Sequence, residues 1–233
     1  VVDGKGRLVG VFTDGDLRRR LAAHEDILQR PLKEVMTRNP ITLRDDALAV
    51  ANALGCSVEE VPISAGVDAV EASLPAGTPI TPIQRGNIAA RMRMITLYHE
   101  SARHDGIVMG TGNKSEAMIG YTTLHGDAAC AINPIGDLYK SQVRALAAHL
   151  GVPDAILTKA PSADLWPGQT DEGEGGFDYP TLDRILFRLV DQGASADAVV
   201  ADGFDQALVA RIQQMIAASQ FKREMPPFPK ITT

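Results

Sequence analysis

Residues 107–140 read IVMGTGNKSEAMIGYTTLHGDAACAINPIGDLYK, and this stretch decides how the chain is read. An apolar run, Ile107 to Met109, ends in Gly110-Thr111-Gly112. A short polar segment then delivers Lys114 and Glu116. Gly126-Asp127, Asn133-Pro134 and Gly136-Asp137 follow, and the stretch closes on Lys140. The pattern predicts a buried strand over 106–110 whose carboxyl end opens into a loop rich in groups suited to nucleotide and metal. Open α/β sheets hold their ligands at that end of their strands.

Working outward, DDALAVANALGCSVEEVPI (45–63) reads as a helix followed by a strand over 59–63. Ala47, Val50, Ala51 and Leu54 give helical spacing, and Gly55 is a candidate C-terminal cap. Ser64-Ala65-Gly66-Val67-Asp68-Ala69 then admits two readings, a degenerate pyrophosphate loop or an ordinary strand-to-helix turn. Ala65 stands where close phosphate approach needs glycine, which favours the turn. Helices are expected over 87–104, from Lys140 onward, and over 181–193 and 204–221, each with apolar residues three and four apart. Residues 162–180, SADLWPGQTDEGEGGFDYP, read as a long loop containing Trp166 and five acids.

The motifs GTGNKSE, PSADLWPGQTDE (161–172) and FKREMPP (221–227) together resemble the NAD synthetase family of the ammonia-dependent type, over about residues 45–233. Several separated motifs occur in the family's order, which a single match would not supply. The resemblance implies an α/β fold: a partial doubly wound parallel sheet of the ATP-pyrophosphatase (adenine nucleotide alpha-hydrolase) type. It implies an ATP-dependent carbon–nitrogen ligase. The deamido-NAD carboxylate attacks the α-phosphate of ATP, an adenylate forms with release of pyrophosphate, and ammonia displaces AMP. The implied substrates are therefore ATP, deamido-NAD and ammonia, with Mg2+ as cofactor, in a cytoplasmic homodimer. No nucleophilic cysteine in a glutaminase setting is visible, so free ammonia or a partner that makes it is the expected nitrogen source.

Residue by residue, the resemblance assigns ATP contacts to Thr111, Lys140 and Ser162, deamido-NAD contacts to Arg91, Asp127 and Lys222, and the metal to Glu116. These residue types suit the chemistry. A carboxylate is a hard ligand for magnesium on phosphates, lysine is a mobile point charge for a pyrophosphate leaving group, and arginine is a fixed fork for phosphate or carboxylate. The bland alternatives are a first-turn helix charge for Glu116 and solvated basic residues for Arg91 and Lys140. His125 reads as a polar loop residue rather than an acid–base group. Two positions depart from the family. Leu124 stands where many members carry a substrate-binding lysine, and Ala131 where they carry an aspartate. The Ser-Gly-Gly-x-Asp-Ser loop that cradles pyrophosphate in the family is not found upstream of residue 45. The alternative reading is therefore a catalytically incompetent fragment or fusion that keeps weak nucleotide binding.

Residues 1–44 read differently. GVFTDGDL and VMTRNPITLRDDA resemble the end of one CBS repeat and the opening of the next, as in the tail of arabinose-5-phosphate isomerases. Thr13 and Asp16 match positions that hold an adenosyl ribose in such modules; Asp14 or Asp16 as a helix N-cap is the alternative. Composition adds bounds. The chain has 233 residues, 45% hydrophobic and 22% charged, with a net charge of −6. Mild acidity argues against nonspecific nucleic-acid binding, and no apolar run reaches the ~20 residues of a membrane span. Cys56 and Cys130 lack metal or redox spacing and are expected to be buried thiols. Val1 rather than Met opens the chain, so an upstream segment is expected.

Overall fold

A computed structural model describes residues 51, 55–56, 59–75, 77, 79–162, 170–229 and 231. The expected CBS-like fragment with Thr13, Asp14 and Asp16, most of the expected helix over 45–54, and Trp166 lie outside the described residues. The end of that helix is visible. Ala51 is helical, Gly55 has φ 68°, and the Cys56 N–H donates to the Ala51 carbonyl at 2.8 Å. A residue in the left-handed region with a back-bonded successor is the helix stop that glycine allows.

Residues 59–63 form no strand ladder among the described residues; they run as irregular chain into α1 (Ser64–Ala72). A strand exists only through its neighbours, and the residues preceding this segment are outside the description. Ser64–Ala69 is the opening of that helix, with Asp68 and Glu71 both paired to Arg85. The next helix, α2 (Pro82–Arg103), begins five residues before its expected start. Thr81 and Gln84 form a reciprocal capping box there, with Pro82 in the first turn, and both features nucleate a helix N-terminus.

The run after α2 behaves as expected at its core. Met109 pairs in parallel with Ile132: the Gly110 N–H donates to Ile132 O at 2.7 Å and the Ala131 N–H to Val108 O at 2.9 Å. Val108 and Gly110 are buried. A side chain on Gly110 would collide with Cys130, so this approach requires glycine. Among the described residues the pairing is a single bridge, short of a sheet.

Beyond it the fold is helical: α3 (Lys114–Ile119), α4 (Lys140–His149), α5 (Asp154–Leu157), α6 (Asp171–Gly175), α7 (Tyr179–Leu186), α8 (Ala196–Ala201) and α9 (Gln206–Ala218). A π-helical turn, Phe187–Asp191, extends α7, and a 3-10 turn, Gln220–Lys222, follows α9. Part of the expected long loop is thus helix, α6, with Thr170 accepting from the Gly173 N–H as its cap.

The core sits on α7. Tyr179, Leu182, Ile185 and Leu186 share one face and are fully buried, as are Val199 of α8 and Val209 and Ile212 of α9, and Ile119 of α3 packs with them. Each such aliphatic side chain contributes roughly 1.5–3 kcal/mol by leaving water. α7 therefore anchors α3 and α4, the two helices that carry the expected site. No helix among the described residues is long and apolar enough to cross a membrane.

Candidate functional site

Two helix N-termini meet at the site. α3 starts at Asn113, whose side chain accepts from the Glu116 N–H while the Glu116 Oε2 accepts from the Asn113 N–H, both at 3.1 Å. This reciprocal cap satisfies two orphan donors and fixes the Glu116 side chain. Its other oxygen, Oε1, accepts from Lys140 Nζ at 2.8 Å. Glu116 thus has a structural role and still presents a carboxylate to the lysine at the head of α4. Both side chains are largely buried, 16% and 22% exposed, so the pair is weakly screened.

Lys140 is also held from below. Its ammonium lies 5.2 Å from the centre of the Tyr179 ring, an attraction to the negative face of the ring. The Tyr179 hydroxyl donates to Asp171 Oδ2 at 2.9 Å. Burial raises the Tyr179 hydroxyl pKa far above the ordinary value, so this hydroxyl acts as a donor. Burial likewise pushes the Asp171 carboxyl up, partly offset by the Tyr179 bond and by Lys140.

Among the described residues, two buried side-chain oxygens have no hydrogen-bond partner, Asp171 Oδ1 and Ser141 Oγ. Ser141 follows Lys140 in sequence, and Asp171 shares Tyr179 with it. Native structures rarely leave such atoms unpaired without a reason, and both border the lysine.

The expected ATP residues group only in part. Glu116 and Lys140 are in contact. Ser162 lies beside Pro161, whose carbonyl accepts from the Asp171 N–H at 3.0 Å, so it reaches the same corner through Asp171. Thr111 is exposed, between the Met109–Ile132 bridge and the cap of α3.

The expected deamido-NAD residues gather at the other end of α3. Lys222 Nζ donates to the carbonyls of Gly120 and Thr122, each at 2.7 Å. Burial lowers its pKa, and Asp127 opposes that shift from nearby. Asp127 is exposed and its Oδ1 accepts from the Thr123 N–H at 2.7 Å. The Thr123 hydroxyl in turn donates to Asn87 Oδ1 at 2.8 Å, which ties this loop to α2. One turn along, Arg91 is exposed and lines a cleft of about 350 Å³ with Leu74, Ile80, Asn87 and Ile88. His125 is exposed at φ 58°, a loop position. A six-residue helix spans ~9 Å, so α3 joins the two groups over a short distance.

Sequence reading missed four supporting residues. Asp183 receives bonds from Ser115 and Ser141. Asp191 receives them from Lys114 and Tyr139. Arg223 closes the carbonyl ends of α3 and α9 by donating to Ala117, Met118 and Ile216. Asn113 alone carried a readable signal, the Asn-x-x-Glu spacing of a capping box. Among the described residues, no three of His, Cys, Asp and Glu converge as a metal site. Cys56 and Cys130 are unbridged and half-buried rather than fully buried, and burial pushes the Cys130 thiol up.

Comparison with known proteins gives one direction. The NAD synthase family profile matches residues 33–226, and that of the CBS domain matches residues 1–23. The chain is 43% identical over 189 residues to the NH(3)-dependent NAD(+) synthetase of Chlorobaculum tepidum, covering 81% of the chain and 67% of that relative. It is 46% identical over 179 residues to that of Pelodictyon phaeoclathratiforme, covering 77% and 64%. The chain thus spans about two thirds of the length of these relatives. Among solved structures it is similar to the NMN synthetase of Francisella tularensis, with TM-score 0.73, 32% identity, and coverage of 86% of this chain and 82% of that one. It is also similar to an NH3-dependent NAD synthetase from Campylobacter jejuni, with TM-score 0.69, 29% identity and coverage of 97% and 90%.

Proposed function

Because the chain belongs to the NAD synthase family, we propose that its site takes ATP and deamido-NAD for the ammonia-dependent amidation that forms NAD. The observation that carries this reading is the Lys140–Glu116 pair, seated by two helix N-termini beyond the end of the parallel bridge. Lys140 neutralises charge that develops on a pyrophosphate leaving group. Thr111 and Ser162 contact the rest of ATP. Arg91, Asp127 and Lys222 orient deamido-NAD so that its carboxylate meets the α-phosphate, which is a positioning task.

The residues fit a magnesium ion. Magnesium is held through one or two carboxylates plus substrate phosphates and keeps several waters. Glu116 supplies one such carboxylate, and the unpaired Asp171 Oδ1 is a second hard oxygen at the same corner. Bound there, magnesium would neutralise phosphate charge. Glu116 would then exchange its lysine for the metal, leaving Lys140 free for phosphate.

The doubly wound sheet of the ATP-pyrophosphatase type, the domain division at 44/45, a homodimer and a cytoplasmic location belong to the same proposal. The exposed Ile83, Ile95 and Tyr98 on α2 support an association face. A second reading of the substrate is favoured by Leu124 and Ala131, which remove two polar contacts that the resemblance assigns to deamido-NAD. One structural neighbour is an NMN synthetase, so the acid precursor of a mononucleotide is the alternative.

Calorimetric titration of the full chain tests this. MgATP is expected to bind wild type and not Glu116→Ala, and deamido-NAD to bind wild type and not Arg91→Ala. Tighter binding of nicotinate mononucleotide than of deamido-NAD selects the second reading. Wild type that binds neither nucleotide overturns both.

A further inference from the structure

We infer that Asp183 of α7 is a positioning residue that sets the geometry of the Lys140–Glu116 pair by capping α4 and tying it to Ser115 of α3. The inference rests on the proposed role of that pair.

Asp183 is 6% exposed. Its Oδ1 accepts from the Ser115 hydroxyl, and its Oδ2 accepts from the Ser141 N–H at 2.8 Å. The same Ser115 oxygen accepts from the Lys140 N–H at 2.9 Å. The first N–H groups of any helix have no internal partner. In α4 the N-cap is Tyr139, whose side chain makes no capping bond. The first two donors of α4, Lys140 and Ser141, are therefore satisfied by Ser115 and Asp183, residues of two other helices.

The consequence is geometric. Glu116 is one residue after Ser115, and Lys140 is one residue before Ser141. Glu116 and Lys140 are 24 positions apart in sequence, yet each is adjacent to a residue bonded to Asp183. A buried carboxylate between two helix N-termini also opposes their positive ends, which lets a cation open α4. The site lysine is thus held by its backbone through Ser115 and Asp183, and by its ammonium through Glu116 and Tyr179. Asp183 belongs to the most deeply buried helix of the core, so it transfers the rigidity of the core to the pair.

The test uses the full chain and Asp183→Asn, which keeps size and one acceptor but loses the charge and one acceptor oxygen. Asp183→Ser is the backup if the first variant does not fold. Two readouts are taken. The first is the 15N–1H signal of the Lys140 ammonium, visible when its protons are held and lost when they exchange with water, with Glu116→Gln as the reference for a released lysine. Asp183→Asn is expected to lose this signal and to accelerate exchange of the Ser141 amide on the order of tenfold, as for a lost cap. A retained signal with unchanged exchange overturns the inference.

The second is MgATP affinity in a double-mutant cycle with Lys140→Ala. Asp183→Asn is expected to weaken binding about tenfold in wild type and by less than about twofold without Lys140. Equal weakening in both backgrounds means that Asp183 acts on general stability, and this also overturns the inference. If wild type binds no MgATP, the nucleotide reading falls, and the ammonium and amide signals still decide whether Asp183 sets the pair.

Discussion

Lys140 Nζ and Glu116 Oε1 lie 2.8 Å apart, each at the first turn of its own helix. A cation at a helix N-terminus is unfavourable alone. Here the Glu116 carboxylate holds the ammonium, and the Asp183 carboxylate accepts from the next backbone N–H, that of Ser141.

Glu116 has two separable duties, so two substitutions should separate them. Glutamine completes a capping box as well as glutamate does. Glu116→Gln is expected to unfold in urea within about 0.5 kcal/mol of wild type and to lose magnesium-dependent ATP binding. Glu116→Ala is expected to lose the same binding and about 1 kcal/mol of stability besides. Magnesium-dependent binding that survives in the glutamine variant would remove Glu116 from the metal.

What the sequence revealed and what it hid follow from the range of the interactions. Glu116 and Lys140 were legible because motifs are local runs of residue types. The α2 start at Pro82 was equally local, since Thr81-x-x-Gln84 is a capping box, although the apolar spacing alone placed it at 87. Asp183 was not legible. Its partners lie 68 and 42 residues away, and an aspartate within TLDRILF reads as one more solvated helix charge. Lys222 was legible as a residue type but not in its bonding, because it reaches carbonyls about a hundred positions earlier. The strand at 106–110 was visible in its apolar run and is observed as one parallel bridge. The run at 59–63 has the same appearance and no ladder among the described residues, because apolar pattern does not supply a pairing partner.

Asp191 predicts a pH dependence. Lys114 first, and Tyr139 second, hold its carboxyl below the usual carboxylate range. A depressed carboxyl contributes stability that is present above the unfolded value of 3.8 and is lost as pH falls through the lower folded value. Wild type is therefore expected to lose stability more steeply than Asp191→Asn below about pH 4. Chemical unfolding at stepped pH checks this, and parallel curves would show that the Lys114 bond does not operate in solution.

Gly120 ends α3 at φ 74°, and a Cβ there would overlap the Ser219 side chain. Ser219 is buried, and its hydroxyl donates to Met118 and Met215 carbonyls, so it has little room to move. Gly120→Ala combines backbone strain with overpacking and is expected to cost about 2–4 kcal/mol in urea unfolding. Because the Gly120 carbonyl also accepts from Lys222, deamido-NAD binding should weaken in the same variant. A loss of less than about 1 kcal/mol would mean that α3 and α9 are not in close contact here.

The chain by itself is expected to make no NAD at a useful rate from ATP, magnesium, ammonia and deamido-NAD. The sequence contains no Ser-Gly-Gly-x-Asp-Ser loop, and such a loop supplies a nest of backbone donors to the triphosphate and a carboxylate to the metal. The segment that most resembles it, Ser64 to Ala69, is the first part of α1, and Asp68 is committed to Arg85 at 2.7 Å. From Val67 onward its N–H groups are bonded within the helix, which leaves only the donors of the first turn in place of a loop nest. Removing one preorganised donor from a developing charge costs on the order of 10²–10³ in rate, and here several are missing together. The measurement is NAD formation by the purified full chain, with Glu116→Ala as the control for contaminating enzyme. Robust turnover that disappears in that variant would show a working synthetase, and it would mean that Ser64–Ala69 unwinds to receive the phosphates.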